Sequence, residues 1–273
     1  MKNWLLNTLR TAVILLSATL LITSCQQSDF DEPLLDGETV MVSFNSSIDN
    51  QALTRAWDGT NVDKLYFELY VDESRIERKE FNVTDGNIVN FKIELLKNMT
   101  YTAVFWAQKS DCEVYSKGNL SEISIDYGKV SSDFSAISNC DAFHAAFPFT
   151  VDQATIENGV DVKLTRPFAL VVAGVNDIAS GTATSITVSD VATKFNAFNY
   201  EASEGESKTF NFTTDGTKVP GKSHKMIGMA YVLPLQDTAT TITVTVNTTP
   251  SKESSITLEK LEANKRYNIL SAQ

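Results

Sequence analysis

The chain has 273 residues, with 34 acidic against 23 basic side chains and a net charge of −11. A protein this acidic repels nucleic acid and anionic headgroups, and no basic patch interleaved with aromatics offsets that, so a nucleic-acid partner is excluded. The length and a 42% hydrophobic content suit a globular protein of one or two domains, with two favoured.

The first element is a targeting segment. Lys2 and Arg10 precede an apolar run, residues 12–22, broken only by Ser17 and Thr19. That run is shorter than the roughly 20 residues needed to span a bilayer. Positive charge, a short apolar core and small residues at its end describe a secretory signal. The end, Ile22-Thr23-Ser24-Cys25, resembles the bacterial lipobox, which implies cleavage after residue 24 and acylation of Cys25. Residues 1–24 hold two basic and no acidic residues, leaving 21 basic against 34 acidic, a net −13. Residues 25–37 open with Gln26-Gln27-Ser28-Asp29-Phe30-Asp31-Glu32 and read as a solvated acidic tether. They are also similar to the export tag of surface lipoproteins of the Bacteroidetes.

Beyond the tether the hydrophobic period is two. Val40, Val42 and Phe44 alternate with Met41 and Ser43. Leu65, Phe67, Leu69 and Val71 share one face, with Tyr66, Glu68 and Tyr70 on the other. Phe91, Ile93 and Leu95 alternate with charges, and Tyr101 to Ala107 is apolar on both faces, as in a central strand covered on both sides. Further strands are expected at 160–164, 168–175, 186–188, 210–212, 226–233, 242–246, 256–258 and 267–270. Turn dipeptides such as Asn158-Gly159 and Asp215-Gly216 separate them. Many short strands at this spacing argue for an all-β sandwich architecture, not βαβ units. Short helices are expected only near 141–146 and 189–195, and no sequence repeat is evident. The expected division is signal 1–24, tether 25–37, one sandwich at 38–155 and a second at 156–273.

Motifs for chemistry are absent. No glycine-rich phosphate loop, nucleophile elbow or metal-ligand spacing occurs, so no catalytic residue, cofactor or metal is expected. His144 and His224, the only histidines, lie far apart and have no local partner; His144 reads as a partly buried structural residue and His224 as one on an exposed loop. Trp106, Tyr101 and Phe105, with Trp57, Tyr66 and Tyr70, admit either a core or a sugar-stacking platform, the core being the commoner fate. Cys112 and Cys140 are the remaining cysteines, and an oxidising compartment would allow them to pair across ~28 residues. Asp237-Thr238-Ala239 matches a short O-glycosylation pattern with Thr238 as acceptor.

Four stretches together resemble the fimbrillin-like lipoproteins of Bacteroidetes, in a branch whose shared domain has no assigned function. They are residues 101–107 (Tyr101-Thr102-Ala103-Val104-Phe105-Trp106-Ala107), 164–169 (Leu164-Thr165-Arg166-Pro167-Phe168-Ala169), 229–234 (Met229-Ala230-Tyr231-Val232-Leu233-Pro234) and 264–269 (Asn264-Lys265-Arg266-Tyr267-Asn268-Ile269). The resemblance implies two transthyretin-like (Ig-like, Greek-key) β-sandwiches in series. It also implies export as an outer-membrane, surface-exposed lipoprotein and trimming by an arginine-specific protease. Trimming in that family removes the first strand and opens a groove that a strand of the next subunit fills, a case of strand addition. Carried onto this chain, Val40, Val42 and Phe44 belong to the removable strand, and the cut falls between Arg55 and Ala56. Arg55 is the first basic residue after Arg10. The chain stops three residues past its last apolar strand, where many relatives continue, so completion of the second sandwich stays open.

The expected role is a structural or adhesive subunit of fimbrial type. Its partners would be other subunits, membrane lipid through Cys25, and host or bacterial surface ligands. The alternative is a surface glycan-binding lipoprotein of a polysaccharide uptake system, which would need coplanar exposed aromatics.

Overall fold

A computed structural model describes residues 37–48, 61–83, 88–137, 140–248 and 250–271, and residues 39–273 form one compact unit. The signal, Cys25, the tether up to residue 36 and the 49–60 segment lie outside the described residues. The unit is nearly all β and holds two sandwich lobes. The first lobe is built from β1 (Thr39–Ile48), β2 (Lys64–Val71), β3 (Ser74–Asn82), β4 (Ile88–Leu96), β5 (Thr100–Gln108), β7 (Ala142–Thr150) and β8 (Val160–Leu164), with sheet orders β4-β1-β8 and β3-β2-β5-β7. The second lobe has β9 (Ala169–Val175), β10 (Ala183–Asn196), β11 (Glu201–Thr213), β12 (Lys225–Val232), β13 (Thr240–Val246), β14 (Lys252–Leu258) and β15 (Arg266–Ser271). Its sheets run β12-β9-β15 and β11-β10-β13-β14, with the short β6 (Ile123–Ser124) pairing β10.

These two orders are the same order. In each lobe the first strand sits at the centre of a three-stranded sheet, antiparallel to the fourth strand and parallel to the last. The repeat is topological, invisible as sequence identity within the chain. It also shows that β8 completes the first lobe by pairing with β1 from Phe44↔Val160 to Ile48↔Leu164, so that lobe runs past the 155/156 division drawn from sequence.

The lobes differ most in one connection. Between β13 and β14 the chain needs only residues 247–251, whereas between β5 and β7 it runs through residues 109–141. This insertion carries two short 3₁₀ turns (Leu120–Glu122 and Tyr127–Lys129), β6 and α1 (Phe134–Ile137). It lies on the outer face of β2 and β5. Tyr66, Tyr70, Val104 and Trp106 from those strands share one core with Cys112, Tyr115, Leu120, Ile123 and Ile125 of the insertion and with the second lobe. The inner face, Leu65, Phe67 and Leu69, belongs to a separate core with β1, β4 and β8. β2 and β5 are therefore buried on both sides, and the run Tyr101 to Ala107 is the covered central strand its composition implied.

Two helix expectations are corrected. Residues 141–146 enter β7 and 189–195 belong to β10, because pairing with β5 and β11 overrides a weak local preference. The six-residue α2 (Gln153–Asn158) stands instead where Asp152 caps Thr155 N and Gly159 stops the turn at φ 74°. A Cβ on Gly159 would meet Ser43 O at 2.8 Å, so β1 approaches too closely there for any side chain.

Candidate functional site

The first strand and the cleft that holds it form the most distinctive site. β1 alternates as its sequence predicts. Val42 and Phe44 are wholly buried and Val40 packs against the same core, while Met41 faces solvent at 52% exposure. The Phe44 ring stacks on Phe91 at 5.3 Å, meets Phe149 edge-on at 5.4 Å and lies 5.5 Å from Phe67. Such pairs add to the burial each ring already gains. Ser46, further along the buried face, donates from Oγ to Val89 O at 2.8 Å. Along its backbone β1 is bonded on both edges, from Thr39 to Ser47 with β4 and from Phe44 to Ile48 with β8. Withdrawing β1 would expose two strand edges and a phenylalanine-lined slot at once. Arg55 and Ala56, in the connection that follows β1, lie outside the described residues.

The remaining expected sites fall elsewhere. The Sγ atoms of Cys112 and Cys140 are 2.7 Å apart, as thiols, at the base of the insertion. Thr238 is half-buried in the turn between β12 and β13, and its Oγ1 donates to Gln236 O at 3.1 Å. Trp106, Tyr66, Tyr70 and Tyr101 are buried and Phe105 is wholly so, which settles these five as core. Trp57 lies outside the described residues. Tyr200 is 39% exposed and borders a cavity of about 300 Å³ that is also lined by Pro167, Leu235, Asp237 and Glu262.

His144 is buried in the lobe junction. Its Nε2 lies 2.7 Å from Ala197 O, and its ring meets Phe195 edge-on. Burial holds its pKa down to about 4, only partly offset by that hydrogen bond. His224 is half-buried, and among the described residues no group of three or more His, Cys, Asp or Glu could hold a metal ion.

Two buried charge clusters at the same junction had no signal in the sequence. Arg166, fully buried between β8 and β9, clamps the Asp141 carboxylate through Nε at 2.8 Å and Nη2 at 2.6 Å and lies 4.5 Å from the Phe143 ring centre. Glu68, on the seemingly polar face of β2, accepts from Arg75 at 2.8 Å, Arg78 at 2.5 Å, the Tyr70 hydroxyl at 2.6 Å and the Leu120 backbone. Arg78 also donates to the carbonyls of Lys117 and Gly118, so this cluster ties the insertion to the first lobe. Both are structural arrangements: each charge is met by an opposite charge, as burial requires.

A lobed β architecture with a doubly paired first strand defines the class to which this chain is to be compared. The model of one family, described as a family of unknown function (DUF6562), matches residues 35–269, and the chain belongs to that family. No curated protein matches it. Among solved structures it is similar in fold to the tip fimbrial protein Mfa3 of Porphyromonas gingivalis with a C-terminal truncation. That likeness has a TM-score of 0.53 and 9% identity, and covers 86% of this chain and 95% of that one. A candidate cell-adhesion protein of Bacteroides ovatus is similar at TM-score 0.50 and 11% identity, over 85% and 92% of the two chains. A candidate polysaccharide-binding protein of Bacteroides thetaiotaomicron gives 0.51 and 11%, over 85% and 91%. At these identities the likeness is one of fold. Among the described residues no helix is long and apolar enough to cross a membrane.

Proposed function

We propose that this protein is a non-enzymatic, lipid-anchored surface subunit of fimbrial type, assembled by strand exchange after cleavage between Arg55 and Ala56. The observation that carries the reading is the placement of β1. It is the central strand of its sheet, its Phe44 fills an aromatic slot, and the arginine-bearing connection follows it directly. Loss of β1 leaves unpaired backbone on β4 and β8 and an empty apolar slot, and a strand from a second subunit with an aromatic at the matching position satisfies both. Acylated Cys25 supplies the anchor in the outer membrane, and the acidic tether spaces the fold from it. Thr238, in a turn, is the acceptor for O-glycosylation. The test is treatment with an arginine-specific protease, read by mass spectrometry and native gels. A cut after Arg55 followed by a ladder of oligomers supports the reading, and a cut chain that stays monomeric rejects strand exchange. Mass analysis of the N-terminal peptide from bacterial membranes checks acylation of Cys25.

A surface glycan-binding role is the second reading. Its favourable observation is the cavity beside Tyr200, which pairs a partly exposed ring with carboxylates at Asp237 and Glu262. The aromatic stripe of the first half does not serve it, since those described rings are buried. Binding of soluble polysaccharides that Tyr200→Ala abolishes would favour this reading.

A further inference from the structure

The insertion between β5 and β7 is the longest departure from the internal repeat, and it enters and leaves its lobe at one place. Cys112 follows β5 by four positions, Cys140 precedes β7 by two, and their sulfurs are 2.7 Å apart although they stand 28 positions apart in sequence. The contacts around the pair converge on the same neck. Asp63 accepts from Ser110 N at 2.6 Å and from its hydroxyl at 2.8 Å, and the Tyr115 hydroxyl donates to Cys140 O at 2.5 Å. The next residue, Asp141, is the buried partner of Arg166. Between the two cysteines, Tyr115, Leu120, Ile123, Ile125, Tyr127 and Ile137 pack into the core shared with the second lobe.

We infer that Cys112 and Cys140 form a redox-closed staple at the neck of this insertion, which fixes the element that joins the two lobes. Closure is thiol–disulfide exchange with an external disulfide. The thiolate of one cysteine attacks a sulfur of the oxidant and expels one thiolate, giving a mixed disulfide. The thiolate of the other cysteine attacks the protein sulfur of that intermediate, forming the Cys112–Cys140 bond and expelling a second thiolate. The protein loses two protons and two electrons, and the oxidant becomes two thiols. The paired sulfurs favour the first ionisation: contact with Cys140 lowers the Cys112 thiol from its ordinary value despite burial, and the same contact pushes Cys140 up. Cys112 is buried and Cys140 half-buried, so an oxidant reaches the pair from the Cys140 side. Export to an oxidising compartment, on which its closure in the cell rests, belongs to the reading above. The sulfur geometry does not depend on it.

The experiment uses the chain carrying Cys25→Ser, which leaves two thiols. It is equilibrated with oxidised and reduced glutathione and then acid-quenched and mapped by non-reducing digestion. A peptide joining Cys112 to Cys140 and no titratable thiol are expected across mildly oxidising mixtures. Two titratable thiols, or glutathione retained on either cysteine, would overturn the staple. Its mechanical role is read by limited trypsin digestion at Lys117 and Lys129, both exposed within the insertion. The reduced protein should be cut there on the order of tenfold faster than the oxidised one. Cys112→Ser with Cys140→Ser should be cut at one rate in both redox states. Equal rates for the reduced and oxidised wild-type pair would overturn the fixing role even if the bond forms. Neither arm depends on the protease or lipid chemistry proposed for the N-terminus, so failure here is separate from failure there.

Discussion

The two lobes repeat one topology with different contents, and the difference shows in what each core is made of and in which strand keeps a solvent face. The first lobe is packed around phenylalanine: Phe44, Phe67, Phe91, Phe105, Phe147 and Phe149 lie within ring contact of one another. The second is mainly aliphatic, with Val171, Val172, Ile186, Val188, Ile227 and Ile242 wholly buried beside fewer rings such as Phe195 and Phe210. β1 keeps a solvent face and so alternates, whereas every residue of its counterpart β9 is buried. The same position in the same topology is therefore half-open to solvent in one lobe and enclosed on both faces in the other. Under the proposed strand exchange, the interdigitated rings would make the first position specific, because a replacement must present an aromatic where Phe44 stands.

This contrast is open to breaking at several points. Phe44→Ala should carry the largest effect, a loss of about 3–5 kcal/mol in urea unfolding, since it empties the centre of the first core. A loss under about 1 kcal/mol would mean that the slot collapses and that β1 is not its keystone. Arg166→Met should cost about 3–5 kcal/mol by leaving the Asp141 carboxylate buried without its clamp, and Asp141→Leu added to it should restore most of that in thermal unfolding. A double variant as weak as the single one would show that the pair does more than neutralise itself.

Acid should act at the junction next. His144 is neutral when folded because its pKa is held to about 4, while the unfolded value is 6.5. The unfolded chain therefore binds the extra proton between those values. This contribution to stability is complete above pH 6.5 and declines as pH falls toward 4, by about 3 kcal/mol in all. His144→Gln should flatten the pH dependence of the unfolding midpoint in that window, and an unchanged slope would assign the acid sensitivity to other groups. Smallest of all, Met41→Ser on the exposed face of β1 should change stability by no more than about 0.5 kcal/mol. Comparison with Phe44→Ala then measures the two faces of a single strand.

Much of this organisation is legible as hydrophobic period. Val42 and Phe44 against Met41 give β1 its buried face, and the double-sided run of β5 marks a covered strand. Legibility fails where burial comes from distant sequence. Glu68 alternates as a solvent-facing residue, and only the insertion, folded back over β2, makes it buried and places Arg75 and Arg78 on it. β3 (Ser74–Asn82) escapes for a related reason: its charged residues lie on an edge strand, where pairing with β2 supplies the order that apolar pattern does not. Arg166 lies inside a recognised motif, yet nothing local signals a fully buried guanidinium, because its partner Asp141 is 25 positions away. The internal repeat is hidden for the most general reason. Topology is a statement about which strands pair, and two lobes with phenylalanine and aliphatic cores share that pairing without sharing residues.

The double pairing of β1 also has a mechanical meaning. Tension entering at Thr39 along the strand axis meets the β4 and β8 ladders side by side, so the hydrogen bonds of both are loaded in shear and must yield together. A strand on a sheet edge, pulled sideways, would unzip, losing its bonds in succession. Resistance to such a pull is governed by the barrier to unfolding more than by equilibrium stability. The first strand thus behaves as a rivet, strong against drag on the chain ahead of it.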